Sequence, residues 1–400
     1  MNTAWLHIIG IGEDGLEGLN SVTRTLVGTA EMLVGGERHL DMVNSKAEKV
    51  SWGSGLNHGI DAIKANAGKS VVVLATGEPL WFGIATTLLR HFNRCDVMIH
   101  PSVGAFSLSA ARMGWAIPDV ACMTVHGRPL ESLNRVIAPD AKILLLSRDG
   151  KTPVEVADLL SKYGYGGSHI TVFEHMGGDQ ENRLEGTATG WTAKVADLNT
   201  IAITCVAASD ARRLPQTAGL SDDLFEHDGQ LTKREVRAVT LSTLAPQMGE
   251  LLWDVGAGCG SISIEWMRSH SKNKAIAIEQ NDKRRSMIAH NGAALGVPTL
   301  EIVDAKAPEG LAGLEIPDAI FVGGGISTPG LLETCWNALP KGGRLVANTV
   351  TLEAEREMLH FADNFGGEFT RIAISRQESV GRLSALKPMA PVLQLFARKG

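Results

Sequence analysis

Residues 251–266 read LLWDVGAGCGSISIEW. Leu251, Leu252, Trp253 and Val255 form a short apolar run that reads as a buried strand. Gly256, Gly258 and Gly260 follow at alternate positions, and Ile262, Ile264, Glu265 and Trp266 begin a helical stretch. Strand, glycine turn and helix together bring backbone N–H groups against a nucleotide-like ligand in α/β folds. Glycine suits the turn because a Cβ would hold the ligand away and oppose positive φ. An ordinary helix-entry turn also uses glycines, so the turn alone leaves both readings open.

The neighbouring residues favour a ligand. Asp254 lies two residues before the first glycine, within reach of an amino or hydroxyl group. Glu279 closes a second strand, Ala275 to Ile278, about 20 residues on, where an acid accepts hydrogen bonds from ribose hydroxyls. Ser261 stands where a dinucleotide fingerprint has its third glycine, which suits a nucleoside without pyrophosphate better than NAD. This pattern resembles the S-adenosylmethionine (SAM) site of class I methyltransferases. The resemblance implies that the loop Gly256, Ala257, Gly258, Cys259 and Gly260 packs on the methionine part. It places Glu279 on the ribose and Asp304 and Ala305, at the end of a third strand, beside the adenine.

The chain has 400 residues, which suggests two domains rather than one core. Hydrophobic content of 44% and charged content of 20% are those of a soluble globular protein. A net charge of −6 argues against nucleic acid as the main partner. Cys95, Cys122, Cys205, Cys259 and Cys335 are scattered, without CxxC spacing, and read as reduced thiols rather than a disulfide framework or zinc site. The opening MNTAWLHIIGIGEDG lacks a basic leader and runs straight into a strand. No run of 18 apolar residues suggests a membrane span. A cytoplasmic location is expected.

Apolar runs at Trp5–Ile11, Val71–Ala75, Val97–Ile99, Ile143–Leu146, Ile170–Phe173 and Ile201–Val206 predict strands. Helices are predicted at Ser107–Met113 and Val154–Tyr163, which makes the first half α/β. Gly77-Glu78-Pro79 and Pro101–Phe106 lie beyond strand carboxyl ends, where ligands sit in such sheets. On composition alone, plain Gly/Pro turns explain them better. The ordered segments IIGIG, LVGGERHL, VVVLATGEPLWFGI, PSVGAFSLSAARMG, VHGR and VFEHMGGDQENRLEGTA resemble the tetrapyrrole methylase family across residues 5–207. The resemblance implies two α/β subdomains with SAM between them, bound by Gly10, Gly77, Glu78, Pro79, Ser102, Val103, Gly104, Ala105 and Phe106. Two segments depart from the family pattern. Gly12-Glu13-Asp14-Gly15 replaces the usual GPG, and Gly77-Glu78-Pro79 replaces GDP.

Residues 211–230 (ARRLPQTAGLSDDLFEHDGQ) show no sustained period and read as a linker between domains at 1–210 and 231–400. Thr232 and Glu235 then have the spacing of a capping box, a sufficient structural reason for both. A functional reading adds that Thr232 covers the SAM site. A helix is expected around Arg284–Leu295, with strands at Leu300–Val303, Ala319–Val322, Phe369–Ile374 and Val392–Phe396, and a turn and strand over Pro340–Thr349. Gly323-Gly324-Gly325 ends one of them, either as a flexible turn or as room for a bulky ligand. The segments LTKREVRAVTLSTL, LLWDVGAGCGSISIEW, AIAIEQND, PDAIFVGGG and GGRLVANTVTLE resemble the decarboxylating precorrin methyltransferases across about residues 224–400.

Taken together, the resemblances imply a tetrapyrrole methylase fold of two α/β subdomains followed by a Rossmann-like, seven-stranded class I methyltransferase domain. They imply SAM-dependent C-methylation of a precorrin at two ring positions, with decarboxylation of an acetate side chain, in cobalamin (corrin) biosynthesis. Two SAM sites per chain are expected. Methyl transfer from a sulfonium needs mainly positioning, and no residue is assigned as acid or base and no metal is expected. His7, His58, His126, His175 and His227 read as surface or satisfied core. A polycarboxylate substrate calls for basic partners. Arg112, Arg128, Lys233, Arg234 and Arg237 are candidates, though each also reads as a solvated charge. The ring is expected beside Gly323, Gly324, Gly325, Asn348 and Thr349. The expected partners are the small-molecule tetrapyrrole and a second copy in a homo-oligomer, with no membrane and no nucleic acid. Three rivals remain. One is a NAD enzyme, separable by cofactor titration. Another is a non-catalytic binding module, separable by labelled-methyl transfer. The third is a single-activity methyltransferase whose other domain only binds the tetrapyrrole.

Overall fold

The computed structural model describes residues 4–53 and 55–400. The chain forms two compact units. One runs up to Leu130 and resumes over Ala138–Arg212; the other comprises Glu131–Ile137 and Arg213–Gly400.

The first unit contains two five-stranded sheets. The first holds β1 (Leu6–Ile11), β2 (Met32–Gly35), β3 (Glu48–Ser51), β4 (Val71–Thr76) and β5 (Val97–His100), in the order β3-β2-β4-β1-β5. All its pairings are parallel. Its central strands β1, β2 and β4 are buried on both faces, as a covered parallel sheet requires, while the edge strand β3 is largely exposed. Leu6, Ile8, Val71 and Val73 pack into one core, and Ile9, Ile11, Val72 and Leu74 into another. The second sheet holds β6 (Ala121–Thr124), β7 (Lys142–Leu146), β8 (His169–Glu174), β9 (Asn182–Thr187) and β10 (Asn199–Thr204), in the order β6-β7-β10-β8-β9. Only β6 and β7 pair in parallel; the other neighbours are antiparallel.

The second unit is built on seven strands: β11 (Leu251–Val255), β12 (Lys274–Ile278), β13 (Glu301–Val303), β14 (Ala319–Val322), β15 (Arg344–Thr349), β16 (Glu368–Ile372) and β19 (Val392–Arg398). Their order is β13-β12-β11-β14-β15-β19-β16, with β19 antiparallel to both its neighbours. The chain runs outward from β11 through β12 and β13, then returns to β14 on the other side. That reversal makes the carboxyl ends of β11 and β14 the switch point where such sheets bind ligands. Alternate side chains fill two cores. Trp253, Val255, Ile320 and Leu345 lie in one, and Leu252, Ala277, Phe321 and Val346 in the other. A hairpin, β17 (Ser375–Val380) with β18 (Leu383–Pro388), is additional to the expected strands.

Residues 213–230 of the suggested linker are part of the second unit, and 211–212 of the first. Leu220 and Phe225 are buried in its core. The N–H groups of Gly219 and Leu220 donate to the Glu265 carboxylate, at 2.5 and 3.0 Å. The helix that follows spans Arg234–Leu244, with Lys233 at its N-cap and no side-chain cap. Thr232 and Glu235 therefore form no capping box, and Glu235 pairs with Arg376 instead. The short segment 131–137 joins the same unit through Asn134, whose Nδ2 donates to the Ala293 carbonyl, and Arg135, which donates to the Arg268 carbonyl. No helix among the described residues is long and apolar enough to cross a membrane.

Candidate active site

At the switch point of the second unit lies a cavity of about 730 Å³. Its floor is the glycine loop. Gly256, Gly258 and Gly260 have φ of +71°, +61° and +80°, values that favour glycine. A Cβ on Gly256 would stand 3.0 Å from the backbone of Gly324. The loop and the Gly323–Gly325 run thus pack backbone to backbone, which explains why glycines occur at two separate strand ends. A Cβ on Gly258 would meet only the Gln230 carbonyl oxygen, at 3.9 Å, so this glycine faces open space.

Glu279 follows β12 and lines the cavity. Its Oε2 accepts from the Gly258 N–H and its Oε1 from the Asn281 N–H, both at 2.9 Å. The carboxylate is thereby fixed in place while each oxygen keeps a free lone pair. Among the described lining residues it is the one acid, against three basic ones, Lys233, Arg284 and Lys306. Arg284 Nε donates to Asp228 at 2.8 Å and its NH2 to Gln230 Oε1 at 2.7 Å, which draws the 228–230 segment over the loop. Thr232, Ala257, Cys259, Ala305, Asn348 and Thr349 also line the cavity. Burial pushes the Cys259 thiol up to about 11, so it is a neutral wall. Asn348 is held by Thr240 and Gln394, its Nδ2 donating at 2.7 Å and its Oδ1 accepting at 2.9 Å.

Several expected ligand contacts lie elsewhere. Asp254 is fully buried beneath the loop, where its Oδ2 accepts from Ser263 N–H at 3.0 Å and Ser263 Oγ–H at 2.6 Å. Among the described residues its Oδ1 has no partner, and burial raises its pKa to about 6. Asp254 anchors the helix entry instead of reaching into the cavity. Gly260 backs onto Ile288, and Asp304 points outward in an ion pair with Arg285 at 2.8 Å. Arg237 is fully buried. It donates to Glu265, Asp222 and the carbonyls of Thr232 and Leu220, a structural network that leaves it nothing to offer a substrate. Sequence reading missed Gln230, Arg284, Lys306, Ser327, Thr328 and Met389 in the wall. Of these, only Arg284 carried a signal, as a basic residue on the helix directly after the ribose acid.

In the first unit, Gly10 and Gly77 end β1 and begin the turn after β4, and Gly104 precedes the helix Ala105–Met113. A Cβ on Gly10 would lie 1.8 Å from the Gly77 carbonyl oxygen and 2.8 Å from Ser102 N. The three loops therefore close on one another. Gly77, Val103 and Ala105 border a small cavity of about 60 Å³. Glu78, Pro79 and Ser102 lie in the loops outside that cavity, and Glu78 Oε1 accepts from Leu80 N–H at 3.1 Å. Phe106 is buried against Trp81 and Phe82. Three ionisable residues not expected in the site, Glu13, Arg38 and His175, share the cavity. His39 lies beside them, and burial first, then the neighbouring Arg38, lowers its pKa to about 4. Among the basic candidates, Arg112 is engaged by Glu181, and Arg128 is exposed and stacks over Phe82 at 4.9 Å.

The two units correspond to two known families. Residues 5–190 match the tetrapyrrole (corrin/porphyrin) methylases and residues 223–399 the precorrin methyltransferase domain. A precorrin-6Y C(5,15)-methyltransferase [decarboxylating] from Sinorhizobium sp is 44% identical over 399 residues, 99% of this chain and 97% of that protein. A protein of the same name from Mycobacterium tuberculosis (strain ATCC 25618 / H37Rv) is 37% identical over 98% of this chain and 99% of its own length. The crystal structure of the C-terminal domain of precorrin-6Y C5,15-methyltransferase from Rhodobacter capsulatus covers 46% of this chain and all of its own, at 40% identity and a TM-score of 0.44. With both domain matches in tandem and full-length relatives well above 30% identity, the chain belongs to the decarboxylating precorrin-6Y C(5,15)-methyltransferase family.

Proposed function

We propose that the chain methylates a precorrin at C5 and C15 and removes CO₂ from one acetate side chain, with SAM as methyl donor, in cobalamin (corrin) formation. The observation that carries this reading is the end-to-end match, at 44% identity, to a relative of that name. We place the reaction in the cytoplasm, in keeping with five free cysteines.

The second unit fits the donor. A carboxylate with a spare lone pair on each oxygen suits two adjacent ribose hydroxyls. The open face of Gly258 leaves room for the donor's chain. Ala305 borders the same space and suits the adenine. SAM supplies an electrophilic methyl group; the protein's part is to hold and orient. Lys233 and Lys306, which make no ion pair among the described residues, suit the carboxylates of the tetrapyrrole. Gly323–Gly325, Asn348 and Thr349 form the wall against which its ring would lie. Decarboxylation leaves an electron pair that the conjugated ring can accept, so no further cofactor is required.

In the first unit, the loops at Gly10, Gly77–Pro79 and Ser102–Phe106 suit a second donor molecule. The enclosed 60 Å³ takes only a small end of it, and the remainder would lie along the open loops. The decisive experiment incubates the full chain with SAM and precorrin-6Y substrate and weighs the product. Gain of two methyl groups and loss of one CO₂ are expected. A single methyl group added would reduce the first unit to a binding module.

A further inference from the structure

His175 follows directly on β8 and has φ +46°, one of four non-glycine residues in the left-handed region among those described. A histidine held there is unfavourable unless the surroundings impose it, and such positions cluster at functional sites. The surroundings do impose it. His175 N–H donates to the Leu198 carbonyl at 3.2 Å, and its own carbonyl accepts from Gly178 N–H at 3.1 Å. A Cβ on Gly178 would stand 2.8 Å from the Glu13 Cβ, so the 175–178 turn closes directly onto Glu13.

The ring Nδ1 lies 2.9 Å from Glu13 Oε2, and Arg38 pairs with the other oxygen, Oε1. Glu13 side-chain exposure is 14% and that of His175 is 27%, so the pair is sheltered but not sealed. The Glu13 carboxylate, paired with Arg38 on its other oxygen, accepts the Nδ1 proton. That fixes the tautomer and leaves Nε2 with its lone pair. Nε2 has no hydrogen-bond partner among the described residues. The ring lines the same cavity as Gly77, Val103 and Ala105, where the loops proposed to hold the methyl donor come together. A base whose far nitrogen is oriented by a carboxylate is the general arrangement for activating proton removal.

We propose that His175 is the general base for methyl transfer in the first unit, and that Glu13 is its positioning residue. This rests on the reading that the first unit is itself a methylase. When a ring carbon gains a methyl group, the tetrapyrrole gains one positive charge. It must then lose a proton, from that carbon or from a conjugated ring N–H. That bond breaks, its electron pair returns to the ring, and a new N–H bond forms at His175 Nε2. The imidazolium is stabilised by Glu13 and afterwards yields its proton to water.

The test uses the full chain. In ¹⁵N-histidine NMR without substrate, His175 should be the Nδ1–H tautomer at neutral pH, and Glu13→Gln should abolish that preference. His175→Gln should slow addition of one of the two methyl groups by about 100-fold or more at saturating SAM, in a protein that unfolds at the wild-type temperature. The charged groups facing the ring are Glu13 and, through it, Arg38. Glu13→Gln should slow the same step by a smaller factor, about 10-fold, since it acts through the base and leaves it in place. A wild-type product with two methyl groups, formed at an unchanged rate by His175→Gln, would overturn the proposal, as would an Nε2–H tautomer. A wild-type product with a single methyl group would instead overturn the underlying reading, and this proposal with it.

Discussion

Glu279 and Gly258 are joined by a hydrogen bond of 2.9 Å that ties the end of β12 to the glycine loop after β11. The acid proposed to hold the ribose is the same group that shapes the loop beneath it. Glu279→Gln keeps the size and one acceptor but loses the charge. Hydrogen bonds to a charged group contribute about 1.5–3 kcal/mol, so SAM affinity at this site should fall by about 10- to 100-fold. Isothermal titration calorimetry reads this, and an unchanged Kd would remove Glu279 from the site.

Two donor sites per chain predict a calorimetric stoichiometry near two. Gly258 faces open space at φ +61°, so Gly258→Asp puts a charged side chain into the cavity at a strained position. The stoichiometry should drop to one while the other site keeps its affinity. A single site in the wild type that survives Gly258→Asp would contradict the second-unit assignment.

Asp254 gives a pH dependence with a definite sign. Its pKa is raised in the folded chain from 3.8 to about 6, chiefly by burial. Below its unfolded value both states are protonated and nothing is lost. As pH rises through about 6 the folded chain must carry a buried, half-partnered carboxylate, at a cost of about 3 kcal/mol. Asp254→Asn can still accept from Ser263 but cannot ionise. Relative to this variant, wild-type stability should decline between pH 4 and pH 6 and then level off. Urea unfolding across that range checks it; parallel profiles would show that Asp254 does not titrate there.

The Arg237–Glu265 pair is buried on both sides, with side-chain exposures of 0% and 2%. Removing one partner of such a pair strands the other and costs about 3–5 kcal/mol. Arg237→Met should therefore lower the urea midpoint of the second unit sharply. Arg237→Met with Glu265→Gln should recover much of the loss. If the single variant unfolds like wild type, the network does not hold the 219–222 segment.

Most of the second unit was legible because its central strands, β11, β12, β14 and β15, are apolar runs buried on both faces. β11 and Ala319–Val322 match the expected bounds, and β12 begins one residue earlier than expected. The same logic hides β17 and β18, which are exposed on nearly every residue and carry no apolar pattern. Residues 213–230 lacked a period because they are held by groups distant in sequence, above all Glu265. Arg237 sits in a charged run that reads as solvated, and only the fold shows four acceptors converging on it. The glycine loop, Glu279 and Gly323–Gly325 were visible because a close backbone approach demands one residue type. Lys306 and Met389 were not, since cavity walls impose no such demand. His175 looked like any scattered histidine, because its φ and its pairing with Glu13 belong to the tertiary structure.

Gly10 has a consequence for how natural variation here should be read. A single methyl group at that position would fall inside the van der Waals radius of one neighbouring strand end and press on another. A mutational scan selected only for soluble protein and one selected for methyl transfer should both reject every replacement. At this position tolerance data carry no information about chemistry, and a neighbour such as Val103, 59% exposed beside the same loop, is where the two scans can diverge.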